Sequence, residues 1–233
     1  MDNKKRILLK LSGELFRSEE IALDLNKTKA VAEEIIKLKK DYEIGIVFGG
    51  GNIFRGRDVS DVKLNMGTAH YIGMTATLVN ALALKSIFDL LGVASRVISS
   101  LNFSEVIGIS NKFDLNRYFT SGEIIIFAGG TGNPFVTTDT AAVIHALEIK
   151  AEFILKGTKV TGVYDLNPNL HPQATQYKKL SYQAYLQIPA ATILDKVAAT
   201  MAEEHHLPIY IFKWGKDMLK KAAKFKANGT LIN

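Results

Sequence analysis

The chain has 233 residues, 47% of them hydrophobic and 22% charged, which is the profile of a soluble globular protein with room for one large domain or two lobes. Lys and Arg outnumber Asp and Glu by 29 to 23, a mild excess that suits anionic ligands, nucleic acid or an ordinary solvated surface. There is no cysteine, which excludes disulfides, thiolate chemistry and cysteine-ligated metals.

The first residues are polar and basic and run into Ile7-Leu8-Leu9, a stretch broken by Lys10. That is too short for a signal-peptide core, and the apolar runs fall short of the roughly 18 residues of a membrane span, so a cytoplasmic protein without a membrane partner is expected. Residues 7–11 read as a strand ending in Ser12-Gly13. Apolar positions Val31, Ile35, Ile36 and Leu38 predict a helix over 26–42, followed by a buried strand over 44–48 that ends in Gly49-Gly50-Gly51. A helix over 68–91 and a strand over 95–98 come next, then a buried strand over 124–128 ending in Gly129-Gly130. Residues 138–149 read as a helix and 153–155 as a strand. After a loop-like stretch over 163–177, helices are expected over 182–186 and 191–204, with strands over 208–212 and 230–232. Between those strands, residues 216–226 place Met218, Leu219, Ala222, Ala223 and Phe225 at helical spacing among lysines, an amphipathic helix rather than a nucleic-acid arm.

Strands apolar on both faces and alternating with helices predict a mainly parallel sheet covered on both sides. In such sheets ligands gather beyond the carboxyl ends of the strands. The glycines after the second strand would let backbone N–H groups approach an anion, although a plain tight turn needs the same residues. Arg55 lies within reach of that turn, and Lys10 ends the first strand beside Gly13. No Gly-Xaa4-Gly-Lys-Ser/Thr segment occurs, and no Gly-Xaa-Gly-Xaa2-Gly follows a strand, so the P-loop and dinucleotide fingerprints are absent. His205 and His206 lack the spacing of a zinc site. The densest segment runs over residues 129–139, from Gly129 to Asp139. It sets small donors and one carboxylate between a strand and a helix. Thr138 could serve there as the helix N-cap, and Asp139 would favour the helix dipole whatever else it does.

Five segments occur in order: Lys10-Leu11-Ser12-Gly13; Gly49-Gly50-Gly51-Asn52-Ile53-Phe54-Arg55-Gly56; Gly73-Met74-Thr75-Ala76-Thr77; Thr131-Gly132-Asn133-Pro134-Phe135 with Thr137-Thr138-Asp139; and Lys159-Val160-Thr161-Gly162-Val163-Tyr164-Asp165. Together they resemble bacterial UMP kinases, a branch of the amino-acid-kinase superfamily, along essentially the whole chain. The resemblance implies a three-layer α/β/α sandwich with a central, mainly parallel sheet. It implies one domain over 1–233, with an acceptor half over roughly 1–150 and an ATP half over 151–233. It implies ATP against Lys10, Leu11, Ser12, Gly13, Gly51 and Arg55, with the adenosine near Thr158, Tyr164 and Asn167. UMP would be held by Gly50, His70, Thr131, Gly132, Asn133, Pro134, Phe135, Val136, Thr137 and Thr138. Lys10, Arg55 and Asp139 would carry catalysis, Lys10 at the transferring phosphoryl group and Asp139 orienting it. Mg²⁺ would come with the ATP phosphates, no protein metal ligand being assigned. A homohexamer, activation by GTP and inhibition by UTP are also implied.

Two positions depart from the family pattern. His70 and Asn167 stand where Asp is usual. A neutral imidazole offers one donor and one acceptor, whereas a carboxylate accepts from both ribose hydroxyls, so looser ribose recognition is expected. Phe212-Lys213-Trp214 also departs from the pattern, and nothing accounts for Lys213. Two other readings use the same scaffold: a kinase of a carboxylate or carbamate acceptor, and a nucleotide-binding or storage protein without catalysis.

Overall fold

The computed structural model describes residues 4–55, 63–108, 112–168, 170–188 and 193–233. Gly56 of the second segment, and the first residues of the helix expected over 191–204, lie outside them. Eight strands form one sheet: β1 (Lys5–Leu11), β2 (Tyr42–Phe48), β3 (Ser95–Ser99), β4 (Ile124–Ala128), β5 (Phe153–Thr158), β6 (Lys179–Leu180), β7 (Ile209–Lys213) and β8 (Gly229–Ile232). Their spatial order is β3-β4-β2-β1-β5-β7-β8-β6. Neighbours run parallel except β7 and β8, which are antiparallel. The expected three-layer α/β/α arrangement is the one observed.

The helices are α1 (Leu25–Ile36), α2 (Met66–Leu90), α3 (Ser104–Ile107), α4 (Leu115–Thr120), α5 (Thr138–Glu148), α6 (Tyr182–Leu186), α7 (Lys196–Glu204) and α8 (Met218–Ala222). Because side chains alternate along a strand, β1 sends Ile7, Leu9 and Leu11 to one face and Leu8 to the other. The first face forms a core with α1, α2 and α8; the second forms a core with α4, α5, α6 and α7. Helix α2 is long and apolar enough to cross a membrane by composition, contrary to the expectation from the sequence. Half of its most apolar window is buried inside this fold, as in the core helix of a soluble protein.

Several expected boundaries move for identifiable reasons. The helix predicted over 26–42 stops at Ile36, since Tyr42 and Glu43 are taken into β2 opposite Lys5 and Arg6. The strand predicted over 153–155 continues through Lys156 and Gly157 to Thr158, paired with both β1 and β7. The helix predicted over 216–226 shrinks to five residues. Asp217 and Phe225 take left-handed backbone at its two ends, and Phe225 turns back to set its ring 5.0 Å from Phe153 and 5.2 Å from Tyr210. The N-cap of α5 is Thr137, not Thr138: Thr137 has extended backbone, and its hydroxyl accepts from the Asp139 N–H.

The glycine turn after β2 is fastened by a buried amide pair. Asn52 and Asn80 exchange side-chain hydrogen bonds of 2.9 and 2.8 Å. Asn80 also donates to the Gly49 carbonyl at 3.0 Å, and Asn52 to the Ala22 carbonyl at 2.9 Å. Both residues are almost fully buried. Removing one partner strands the other without water. Asn80→Leu is expected to lower stability by roughly 2–3 kcal/mol, read as a lower urea midpoint at unchanged slope; a loss below about 0.5 kcal/mol would deny the network its role.

Candidate active site

The strands that end in glycine or lysine all end at one edge of the sheet. The two-residue period that buries Leu8 beneath α5 also carries Lys10 to that side. There the Lys10 ammonium lies 2.7 Å from Asp139 Oδ1, in the first turn of α5. That contact is ionic rather than an aligned hydrogen bond. The other carboxylate oxygen receives a hydrogen bond from the Lys156 ammonium, which also donates to the Ile193 carbonyl. Lys156 reaches the same spot because it lies directly opposite Lys10 on β5. The helix N-terminus adds partial positive charge beside Asp139.

The first glycine segment is shaped by close approach. A side chain at Gly13 would meet the Gly49 carbonyl oxygen at 2.2 Å, so only glycine lets the two turns touch. Ser12 caps the 3₁₀ helix over Gly13–Phe16 by accepting from the Glu14 N–H. Leu11 is wholly buried and can offer a ligand only backbone. Arg55 folds back on the glycine turn, donating to the Gly51 carbonyl at 2.8 Å and pairing with Glu14. Lys159 approaches the same carboxylate at 3.3 Å. Burial alone would raise the Glu14 carboxyl, but hydrogen bonds from Arg55 and Lys159 hold it below the ordinary range.

A cavity of about 430 Å³ opens beside this cluster, between the glycine turn, α2 and the start of α5. Of the residues expected to hold UMP, it is lined by Gly50, His70, Val136, Thr137 and Thr138; Gly51, expected on the ATP side, also borders it. A side chain at Gly50 would meet the Gly73 carbonyl at 2.6 Å, which fixes how closely the turn lies on α2. Phe135 is largely exposed and sets its ring 5.1 Å from that of His70. Thr131 and Asn133 bond mainly to each other, and with Gly132 and Pro134 they stand outside the lining. His70 is the one titratable side chain among the described lining residues. A larger cavity of about 720 Å³ lies near Lys4, Tyr42, Phe119 and Glu123, at the opposite strand ends and away from these groups.

The residues expected near adenosine gather where β5 ends. Thr158 closes a tight turn with Val160, the Tyr164 hydroxyl meets Thr161 at 2.5 Å, and Asp165 accepts from the Leu166 and Thr175 N–H groups. The Asn167 carbonyl accepts from His171 at 2.9 Å in the following loop.

The profile of the amino acid kinase family matches residues 5–213. The chain belongs to the amino acid kinase family, in its uridylate kinase branch. It is 41% identical over 210 residues to a uridylate kinase of Pseudoalteromonas atlantica, covering 89% of this chain and 85% of that protein. The fold superposes on a crystal structure of UMP kinase from Ureaplasma parvum with a TM-score of 0.93, 30% identity and 99% of both chains covered. A UMP kinase structure from Bacillus anthracis gives a TM-score of 0.91 at 30% identity, covering 98% of this chain and 96% of that one.

Three site residues of this kinase-family chain escape a reading of the sequence. Lys156 sits in what reads as the tail of an apolar strand. Glu14 is 41 residues from its partner Arg55. Asp195 accepts from Thr137 at 2.5 Å and from Thr140 at 3.1 Å, and its side chain caps α7 at the Ala198 N–H. Asp195 was detectable as an N-cap ahead of an apolar helical run.

Burial would raise the Asp139 carboxyl, but the ammoniums of Lys10 and Lys156 outweigh it and bring it down to about 2. A carboxyl lowered in the folded state contributes stability that is fully present above its unfolded value near 3.8 and lost as pH falls through about 2. Chemical denaturation between pH 5 and pH 2 is therefore expected to show a loss on the order of 2 kcal/mol that Asp139→Asn lacks. Equal acid sensitivity in both proteins would assign the loss elsewhere.

Proposed function

We propose that this chain transfers the γ-phosphoryl group of Mg-ATP to UMP, giving ADP and UDP. The observation that carries the reading is the Lys10–Asp139 ion pair, which follows directly on Thr138 of the 430 Å³ cavity's lining and lies at the end of β1 next to the Gly13 turn that packs on Gly49. The acceptor phosphate has a second pKa near 6, so it reaches neutral pH largely deprotonated and needs no general base. The obstacle is repulsion: two like charges 4 Å apart cost roughly 4 kcal/mol at an effective dielectric near 20. Positive charge and in-line alignment meet that cost. The acceptor cavity supplies backbone groups and His70, and Lys10 is paired with Asp139, the residue that follows Thr138 of its lining.

In this reading residues 1–150 hold the acceptor and 151–233 the donor nucleoside. Lys10 steadies the transferring phosphoryl group, Asp139 aims Lys10, and Arg55 turns from Glu14 to the donor phosphates. The nearby carboxylates are already committed: Asp139 to two ammoniums, Asp195 to two hydroxyls and a helix cap, Glu14 to Arg55 and Lys159. Mg²⁺ thus enters as part of the donor substrate, held by phosphate oxygens and water, and shields their charge. The same reading places the protein in the cytoplasm, in pyrimidine nucleotide synthesis, as a homohexamer responsive to GTP and UTP. Exposed Tyr71, Ile72 and Val79 along one side of α2 support association between copies.

Purified protein with Mg-ATP is expected to form UDP from UMP in preference to CMP; absence of UDP would end the proposal. Lys10→Ala should lower kcat by about 10²–10³-fold while the Kd for UMP changes only a few-fold. Near-normal turnover would remove Lys10 from the transfer step. His70→Asp should tighten UMP binding roughly tenfold and sharpen discrimination against dUMP, because a carboxylate accepts from both ribose hydroxyls. An unchanged or weaker Kd in calorimetry would refute that assignment.

A further inference from the structure

Lys156 is the most buried charged side chain at the strand ends, with 5% of its side chain exposed. Burying an ammonium is costly, and an apolar side chain of similar volume would fill the same space more cheaply. The need to neutralise Asp139 does not explain it, since Lys10 already pairs with that carboxylate. Two ammoniums meet on one carboxylate at the point where the strands end, with Asp195 beyond them. The geometry divides the work. Lys10 takes Oδ1; Lys156 takes Oδ2 and is itself anchored to the Ile193 carbonyl. Asp139 is thereby held from both sides, and its position sets where Lys10 lies.

We propose that Lys156 is a positioning residue for phosphoryl transfer, gripping Asp139 from the interior so that Lys10 is presented to the transferring group. This rests on the reading of the site as a phosphotransferase. The groups that surround the Lys156 ammonium are Lys10 from β1, Asp139 from α5 and Asp195 from the cap of α7, with the Tyr185 hydroxyl of α6 in the field of both carboxylates. Burial first, and repulsion from Lys10 second, bring Lys156 down to about 8, with Asp139 opposing. The grip is therefore complete below that pH and weakens above it. Arginine stays charged through the whole range.

The test compares wild type, Lys156→Met and Lys156→Arg in Mg-ATP and UMP assays from pH 6 to pH 10, with calorimetric Kd values for UMP. Wild-type UDP formation is the separate check on the functional reading; without it that reading fails, whatever the variants do. Given wild-type activity, Lys156→Met should lose about 10²-fold in kcat with a UMP Kd within threefold of wild type. Lys156→Arg should recover part of that loss and lack the wild-type fall of kcat/KM above about pH 8. Turnover of Lys156→Met within threefold of wild type would overturn the proposal. So would a parallel loss of UMP binding, which marks a merely structural role. If Lys156→Met does not fold, the arginine variant decides: an alkaline fall identical to wild type overturns the assignment.

Discussion

The site depends on one buried carboxylate shared by two lysines. Asp139 would be raised by its burial, and Lys156 is lowered by its own; each is tolerated because the other is present. The arrangement follows from strand geometry. β1 and β5 are adjacent and parallel, Lys10 and Lys156 are register partners, and alternation sends both toward α5. The first turn of α5 then needs only one acidic residue to meet them. An ion cluster of this kind is poor ballast for stability compared with apolar packing, so its presence argues for chemistry at that edge.

Around this cluster, the surrounding loops are held by polar groups that have no freedom left. The Asn52–Asn80 pair fastens the glycine turn to α2, and the Thr77 hydroxyl accepts from the Gly129 N–H while donating to the Met74 carbonyl. Asp195 ties the caps of α5 and α7 into one unit. The loops beyond the strand ends are thus braced from behind by the sheet, the kind of support that the proposed in-line transfer between two anions requires.

The layered architecture was legible because apolar runs and glycine punctuation are local signals. The strand over Ile124–Ala128 and the helix over Thr138–Glu148 could be read from a dozen residues each. Lys10, Arg55 and Asp139 could be singled out because each stands beside a glycine turn or a helix start, and the fold does set Lys10 against Asp139. Lys156 was not: lysine within Lys-Gly-Thr reads as the polar end of a strand, and only pairing with β1 and β7 buries it. Glu14 and Asp195 were missed because their partners lie 41 and 58 residues away. The C-terminal helix was overestimated because its apolar spacing serves a different end, the turn that returns Phe225 to the aromatic cluster.

The strand order also bears on how the chain is made. β6 has a single neighbour in the sheet, β8, which enters between it and β7. Lys179 and Leu180 therefore wait for Leu231 and Ile232 to leave the ribosome before either can be sheltered. Once made, β7 in turn keeps an open outer rim, rich in isoleucine and phenylalanine, until β8 pairs with it, and there a nascent chain is most exposed to mispairing.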